Sequence, residues 1–176
     1  EDALLGKKLR VDPRSQSQQM QKLVTERRAA AATEEKAAAT QFLAEQEKQP
    51  GAKKLDSGVI VFTETEGSGE MPKPSDRVKV NYTGTLRDGT EFDSSVSRGQ
   101  PASFQLNRVV PCWTEALQQM KVGGKAKLVC PSELAYGDRG VPGRIPAGAP
   151  LVFEVELLAI EAEPPKAAEA APGDKP

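Results

Sequence analysis

Residues 78–95 read VKVNYTGTLRDGTEFDSS, and the fold follows from how this stretch is read. Val78, Val80 and Tyr82 share one side of a period-two pattern, while Arg77, Lys79 and Asn81 share the other, which predicts a half-buried β-strand. Asp88-Gly89 supplies a strong tight-turn signal. The chain should therefore double back at that point and lay Phe92-Asp93 beside the first strand. A large ring and a carboxylate reach a sheet edge together.

The same period continues downstream. Ala126, Leu128 and Cys130 alternate with Lys125, Lys127 and Val129, and Leu151, Phe153, Val155 and Leu157 alternate with Val152, Glu154 and Glu156. Val59 to Phe62 forms a fourth apolar run and Ser103 to Leu106 a short fifth. Each predicts a strand of an antiparallel sheet with one wet face. The one helical segment of this half is Pro111 to Val122, with Pro111 at its start and Gly123-Gly124 beyond its end. Trp113, Leu117 and Met120 would face the sheet. The expected fold class is α+β: a curved antiparallel sheet of about five to six strands wrapped on one short helix.

Ahead of Pro50-Gly51 the composition changes. Residues 14–48 are rich in Ala, Gln, Glu, Lys and Arg and hold no Gly or Pro, with Asp12-Pro13 as the start signal. This predicts one helix of about 50 Å. Its apolar face is thin: Met20, Leu23, Val24, Phe42 and Leu43 flank a middle of alanines, so a solvent-exposed stalk packed only at its ends is expected. Leu4, Leu5 and Leu9 look like a fragment of a preceding helix. The expected organisation is a helical stalk or association segment at 1–54, a folded domain at 55–161 and a disordered Pro/Ala-rich tail at 162–176.

Composition excludes several functions. With 24 basic and 25 acidic residues the net charge is −1, which argues against electrostatic binding to nucleic acid or an anionic membrane. The absence of histidine removes His-dependent triads, most catalytic zinc sites and the usual neutral-pH base. No cofactor is expected. Glu1 in place of a starting Met suggests a trimmed product whose export signal has been removed. Cys112 and Cys130 are 18 positions apart, which is not metal-ligand spacing. They read either as two buried small apolar side chains or as a disulfide, the latter requiring an oxidising compartment.

What remains is a set of rings with a few polar companions. Tyr82 and Phe153 take the inward phase of their strands, Phe92 follows the turn and Trp113 opens the short helix. Any one of them alone could be ordinary core. Asp93 either caps the Ser94-Ser95 turn or lies beside the rings, and Tyr136 sits in a Gly- and Pro-rich loop running to Pro150. One carboxylate and one phenol among apolar rings suit a pocket that seats a proline ring and turns a peptide bond.

Tyr82-Thr83-Gly84, Phe92-Asp93-Ser94-Ser95, Val110-Pro111, Trp113, Leu134-Ala135-Tyr136-Gly137, Ile145-Pro146 and residues 151–157 (LVFEVEL) together resemble an FKBP-type peptidyl-prolyl cis-trans isomerase. The resemblance runs from about Asp56 to Ile160, in order and with short gaps. The helical segment resembles the distal part of the N-terminal extension of the macrophage infectivity potentiator group. The resemblance implies a hydrophobic site lined by Tyr82, Phe92, Val109, Val110, Trp113, Ile145 and Phe153, with Trp113 as its floor. It further implies that the Val110 N–H and the Tyr136 hydroxyl donate to ligand carbonyls and that Asp93 lies beside the twisting amide.

Four positions depart from the best-known short members: Ala102 replaces a pocket aromatic, Cys112 precedes the tryptophan, Val141 replaces a frequent His, and Arg144 replaces an apolar rim residue. The implied partners are proline-containing peptides and unfolded clients, with macrolides such as FK506 or rapamycin as inhibitors. The implied location is the periplasm or outer membrane, and the implied state is a monomer or weak homodimer through the N-terminal helix. The competing reading is a proline-binding module without turnover.

Overall fold

The computed structural model describes residues 13–161. The expected helix fragment at Leu4, Leu5 and Leu9, the Asp12 cap and the tail at 162–176 lie outside the described residues. Within them run α1 (Pro13–Glu47), β1 (Ala52–Lys54), β2 (Ile60–Thr65), β3 (Arg77–Leu86), β4 (Glu91–Ser94), β5 (Ala102–Gln105), α2 (Pro111–Leu117), β6 (Lys125–Cys130) and β7 (Leu151–Glu161). Among the described residues no helix is long and apolar enough to cross a membrane.

Every strand pairing is antiparallel, in the order β1-β2-β6-β7-β3. On the far edge of β3, β5 pairs with Arg77–Val80 and β4 with Thr83–Thr85, so the two lie end to end along one strand. The sheet thus has seven strands against the five to six expected. The additions are β1 and β4. β1 is Ala-Lys-Lys, three residues without an apolar pattern, held by pairing with Ile60–Phe62 and by the Lys54–Glu47 ion pair to the end of α1. β4 is four residues long and its ladder slips between Gly84 and Thr85.

One face of the sheet is the main core. Val78, Val80 and Tyr82, then Ala126, Leu128 and Cys130, then Leu151, Phe153, Val155 and Leu157 are all buried, and they pack on Cys112, Trp113, Ala116, Leu117 and Met120. This is the period-two reading realised on three strands. α2 is shorter than the expected Pro111 to Val122. After Leu117 the backbone tightens to i→i−3 bonds, Gln119 N–H to Ala116 O and Met120 N–H to Leu117 O, before Gly123 turns it at φ 85°.

The opposite face is wet, as expected, at Arg77, Lys79, Lys125 and Glu154, but it also carries a dry patch. Ile60, Val129 and Val152 are buried there beneath Phe42 and Leu43 of α1. The covered positions of α1 are Ala32, Glu35, Ala38, Ala39, Phe42, Leu43 and Gln46, a stripe at helical spacing. The C-terminal end thus packs as expected, and the stalk reading is corrected for the alanine-rich middle, which is covered back to Ala32. Met20, Leu23 and Val24, at the end that was also expected to pack, are instead exposed at 65, 51 and 46%. The alanines explain the close approach. A Cβ on Gly148 would sit 2.8 Å from Lys36 Cγ and 3.1 Å from the Ala32 carbonyl oxygen.

Cys112 and Cys130 form a disulfide with Cα atoms 5.8 Å apart, tying the first turn of α2 to the end of β6. Closing an 18-residue separation restricts the unfolded chain by about 3 kcal/mol. Replacing both cysteines by alanine should lower the free energy of unfolding by about that amount in a urea titration. An unchanged midpoint would mean the bridge holds nothing that the core does not already hold.

Candidate functional site

Trp113 stands at the centre of the site because of its position in α2. Val110 is the N-cap in extended geometry and Pro111 opens the helix, so the first turn begins at a fixed point and delivers Trp113 to the sheet. Trp113 is only 4% exposed. Three rings meet it nearly at right angles: Tyr82 at 5.1 Å between centroids, Phe153 at 5.2 Å and Phe104 at 5.5 Å. Phe92 stands edge-on to Phe153 at 5.6 Å. Such edge-to-face pairs each add roughly 0.5–1.5 kcal/mol beyond area burial.

Trp113 Nε1 is the one buried side-chain polar atom without a hydrogen-bond partner among the described residues. Its surroundings are rings, and no oxygen reaches it, so the floor of the site stays apolar. Gly84 is needed for this packing. A Cβ there would lie 2.6 Å from Phe92 and 2.9 Å from Phe153.

The polar side of the site is one linked group. The Tyr82 hydroxyl donates to Asp93 Oδ2 at 2.5 Å, and Arg98 donates both to Asp93 Oδ1 and, at 2.9 Å, to the Tyr82 oxygen. The Arg98 guanidinium also lies 5.7 Å from the centre of the Tyr82 ring. Burial would raise the Asp93 carboxyl, but the hydrogen bonds from Tyr82 and Arg98, with the charge of Arg98, outweigh it and hold the group below its ordinary value. Burial, reinforced by the bond to Asp93, pushes the Tyr82 phenol up. At neutral pH the site therefore holds an ionised carboxylate and a protonated phenol.

This arrangement decides between the two readings of Asp93. The serine turn is held by other groups: Tyr82 N–H donates to Ser95 Oγ at 2.8 Å and Ser97 N–H to Ser94 Oγ at 3.1 Å. The Asp93 carboxylate is spent mainly on Tyr82 and Arg98.

Of the residues expected at the site, Tyr82, Trp113, Ile145 and Phe153 are buried in one cluster, and Phe92, Ala102, Val109 and Val110 pack against it half-buried. The N–H of Val110 has no partner among the described residues, while its carbonyl accepts from Trp113 and Thr114. Tyr136 stands apart at 42% exposure, next to Ala135, which does pack on the cluster.

Two residues went unread in the sequence. Phe104 shares a face with Ala102 on β5, opposite Val78, so its period-two position was a usable signal. Arg98 had none, since it lies five residues beyond Asp93 across an irregular turn and only the fold brings it back. Among the described residues no group of three or more side chains could hold a metal ion.

Comparison with known proteins agrees with this geometry. The family described as FKBP-type peptidyl-prolyl cis-trans isomerase matches residues 68–158, and the domain found amino-terminal to such isomerases matches residues 1–60. The chain belongs to the FKBP-type peptidyl-prolyl cis-trans isomerase family. It is 57% identical over 121 residues to the FKBP-type peptidyl-prolyl cis-trans isomerase FkpA of Aeromonas hydrophila, covering 69% of this chain and 45% of that one. It is 47% identical over 121 residues to the macrophage infectivity potentiator of Trypanosoma cruzi, covering 68% of this chain and 62% of that protein. The crystal structure of FkpA from Escherichia coli superposes with a TM-score of 0.78 at 41% identity, over 88% of this chain and 76% of that one. The chain spans about half the length of the FkpA relatives it matches.

In this FKBP-type site the depressed Asp93 carboxyl has a consequence for stability. A group whose value falls on folding stabilises the native state above its unfolded value, near 3.9, and that contribution is lost as pH falls through the folded value. The stability difference between the unaltered chain and Asp93→Asn should hold steady from about pH 7 to 5 and narrow below about pH 4. Urea titrations across that range check this. A difference independent of pH would mean that the carboxylate is not held by Tyr82 and Arg98.

Proposed function

We propose that this chain is a peptidyl-prolyl cis-trans isomerase that accelerates rotation about X-Pro bonds in protein clients. The observation that carries the reading is the buried Trp113, walled by Tyr82, Phe104 and Phe153, with the hydrogen-bonded group of Tyr82, Asp93 and Arg98 on one side. A proline ring lies over Trp113, between Tyr82, Phe92 and Phe153, with Val109, Val110 and Ile145 closing the sides. Ala102 leaves one wall open. The family membership supports the same reading.

The chemistry asked of such a site is small. Amide resonance sets a barrier of roughly 18–20 kcal/mol, and uncatalysed X-Pro rotation takes about tens to hundreds of seconds. In the twisted state resonance is lost and the amide is less polar. A dry ring-lined pocket therefore favours the twisted form over the well-solvated planar one. The Val110 N–H and the Tyr136 hydroxyl hold the client's carbonyls. The Asp93 carboxylate, fixed by Tyr82 and Arg98, orients the local field at the rotating carbonyl. No proton is transferred and no covalent bond is made.

The clients are proline-containing peptides and unfolded proteins, and macrolides such as FK506 or rapamycin fill the same pocket as inhibitors. The Cys112–Cys130 disulfide supports an oxidising compartment, the periplasm or the outer-membrane surface, where the chain assists folding of exported proteins. The exposed Met20, Leu23 and Val24 fit a monomer or a loose homodimer made through α1.

Asp93→Leu and Tyr136→Phe should each lower kcat/KM on a blocked Leu-Pro tetrapeptide by about tenfold, the equivalent of ~1.4 kcal/mol, with the circular dichroism spectrum unchanged. If both variants keep full activity, the assigned roles are wrong. If the unaltered chain binds the peptide without accelerating its rotation, the site is a proline-binding module.

A further inference from the structure

Behind the loop that carries Ile145 lies a cleft of about 1210 Å³, with the middle of α1 as one wall and residues 138–147 as the other. Its volume exceeds the roughly 300–1,000 Å³ of sites for small ligands, which suits a length of chain. Part of the lining is apolar, with Leu86, Val141, Pro142 and Ile145 among it. Ile145 also belongs to the buried cluster around Trp113, so the cleft and the proline site share a wall.

The charges lining the cleft do not cancel. Lys36 is paired with Asp138 at 2.5 Å and Arg87 with Glu35 at 2.8 Å, and these two bridges fasten α1 to the domain. Arg28, Arg139 and Arg144 remain, exposed and without an ion pair among the described residues, against the single free carboxylate of Glu34. A chain with net charge −1 thus concentrates unpaired arginines at one apolar cleft. Arginine stems cover apolar surface while their heads meet carboxylates, so the lining suits a ligand that alternates acidic and apolar side chains.

We propose that this cleft is a second binding subsite for the client, taking an acidic, intermittently apolar extended segment that flanks the proline. The proposal rests on the isomerase reading of the Trp113 site. α1 then serves as one wall of the client groove. Arg144 becomes a residue that selects clients by charge.

The test uses the full chain and three peptides with a single Leu-Pro: a blocked tetrapeptide, a longer peptide with a Glu-Leu repeat beside the proline, and the same peptide with Lys in place of Glu. Exchange NMR gives kcat and KM. The Glu-Leu peptide should show a KM about three- to tenfold below that of the tetrapeptide at low salt, with kcat unchanged. The Lys-Leu peptide should show no such gain, and ~1 M salt should abolish it. Arg28→Glu, on the helix, should erase the gain while leaving kcat on the tetrapeptide as it was, and Arg139→Glu should do the same from the loop side.

Equal KM for the two long peptides, or a gain that survives both charge reversals, overturns the proposal. It is also overturned if the gain appears only after residues 162–176 are removed, since the chain's own tail then fills the cleft. A shift in sedimentation with Arg28→Glu overturns it as well, since a second copy is then the occupant. If the tetrapeptide is not turned over at all, the isomerase reading fails separately. The subsite is then judged by fluorescence anisotropy of the Glu-Leu peptide with and without Arg28→Glu, with the same outcomes deciding it.

Discussion

The burial of one indole constrains the rest of this structure. Trp113 is held against the sheet, only 4% exposed and walled by rings, with a donor nitrogen that finds no oxygen among the described residues. An unsatisfied buried donor costs about 1–3 kcal/mol, and the edge-to-face contacts of Tyr82, Phe104 and Phe153 are of the size needed to offset it. Each of those rings is in turn positioned by something else. Gly84 lets Phe153 and Phe92 close in, the disulfide pins the turn before Trp113, and the bond to Asp93 fixes the Tyr82 ring. The floor of the site is shared with the core.

The same economy appears in the polar group. Tyr82 belongs to the core by its ring and to the site by its hydroxyl, so the carboxylate of Asp93 is tied to the sheet through a single side chain. Arg98 closes the group and, against the effect of burial, adds to the Tyr82 hydrogen bond in holding the Asp93 carboxyl below its ordinary value. Nothing here is arranged to deliver a proton. A fixed carboxylate beside a dry floor is suited to orienting a dipole as it turns.

Much of this was legible from residues alone. The inward phases of Val78–Tyr82, Ala126–Cys130 and Leu151–Leu157, the Asp88-Gly89 reversal and the Pro111 helix start all follow from local rules, and each is found where those rules place it. The stalk reading missed the cover over the alanine-rich middle of α1 and the exposure of its N-terminal end, although the sheet carried a signal for the first. Ile60, Val129 and Val152 are apolar at outward positions of their strands, which means that something covers that face. Phe42 and Leu43 are what covers it, but no local pattern connects a helix to a sheet so far along the chain. Arg98 was missed for the same physical reason, since its partners are set by a turn of irregular geometry. The cysteine pair stayed open because sequence spacing alone does not fix a Cα separation.

The most direct measurement is the fluorescence of Trp113, the only tryptophan in the chain, during titration with a blocked Leu-Pro peptide and with its Leu-Ala counterpart. A proline ring seated on the indole should give a saturable spectral change with the Leu-Pro peptide and none with Leu-Ala. No change with Leu-Pro, or the same change with both peptides, would contradict the claim that Trp113 is the floor of a proline site.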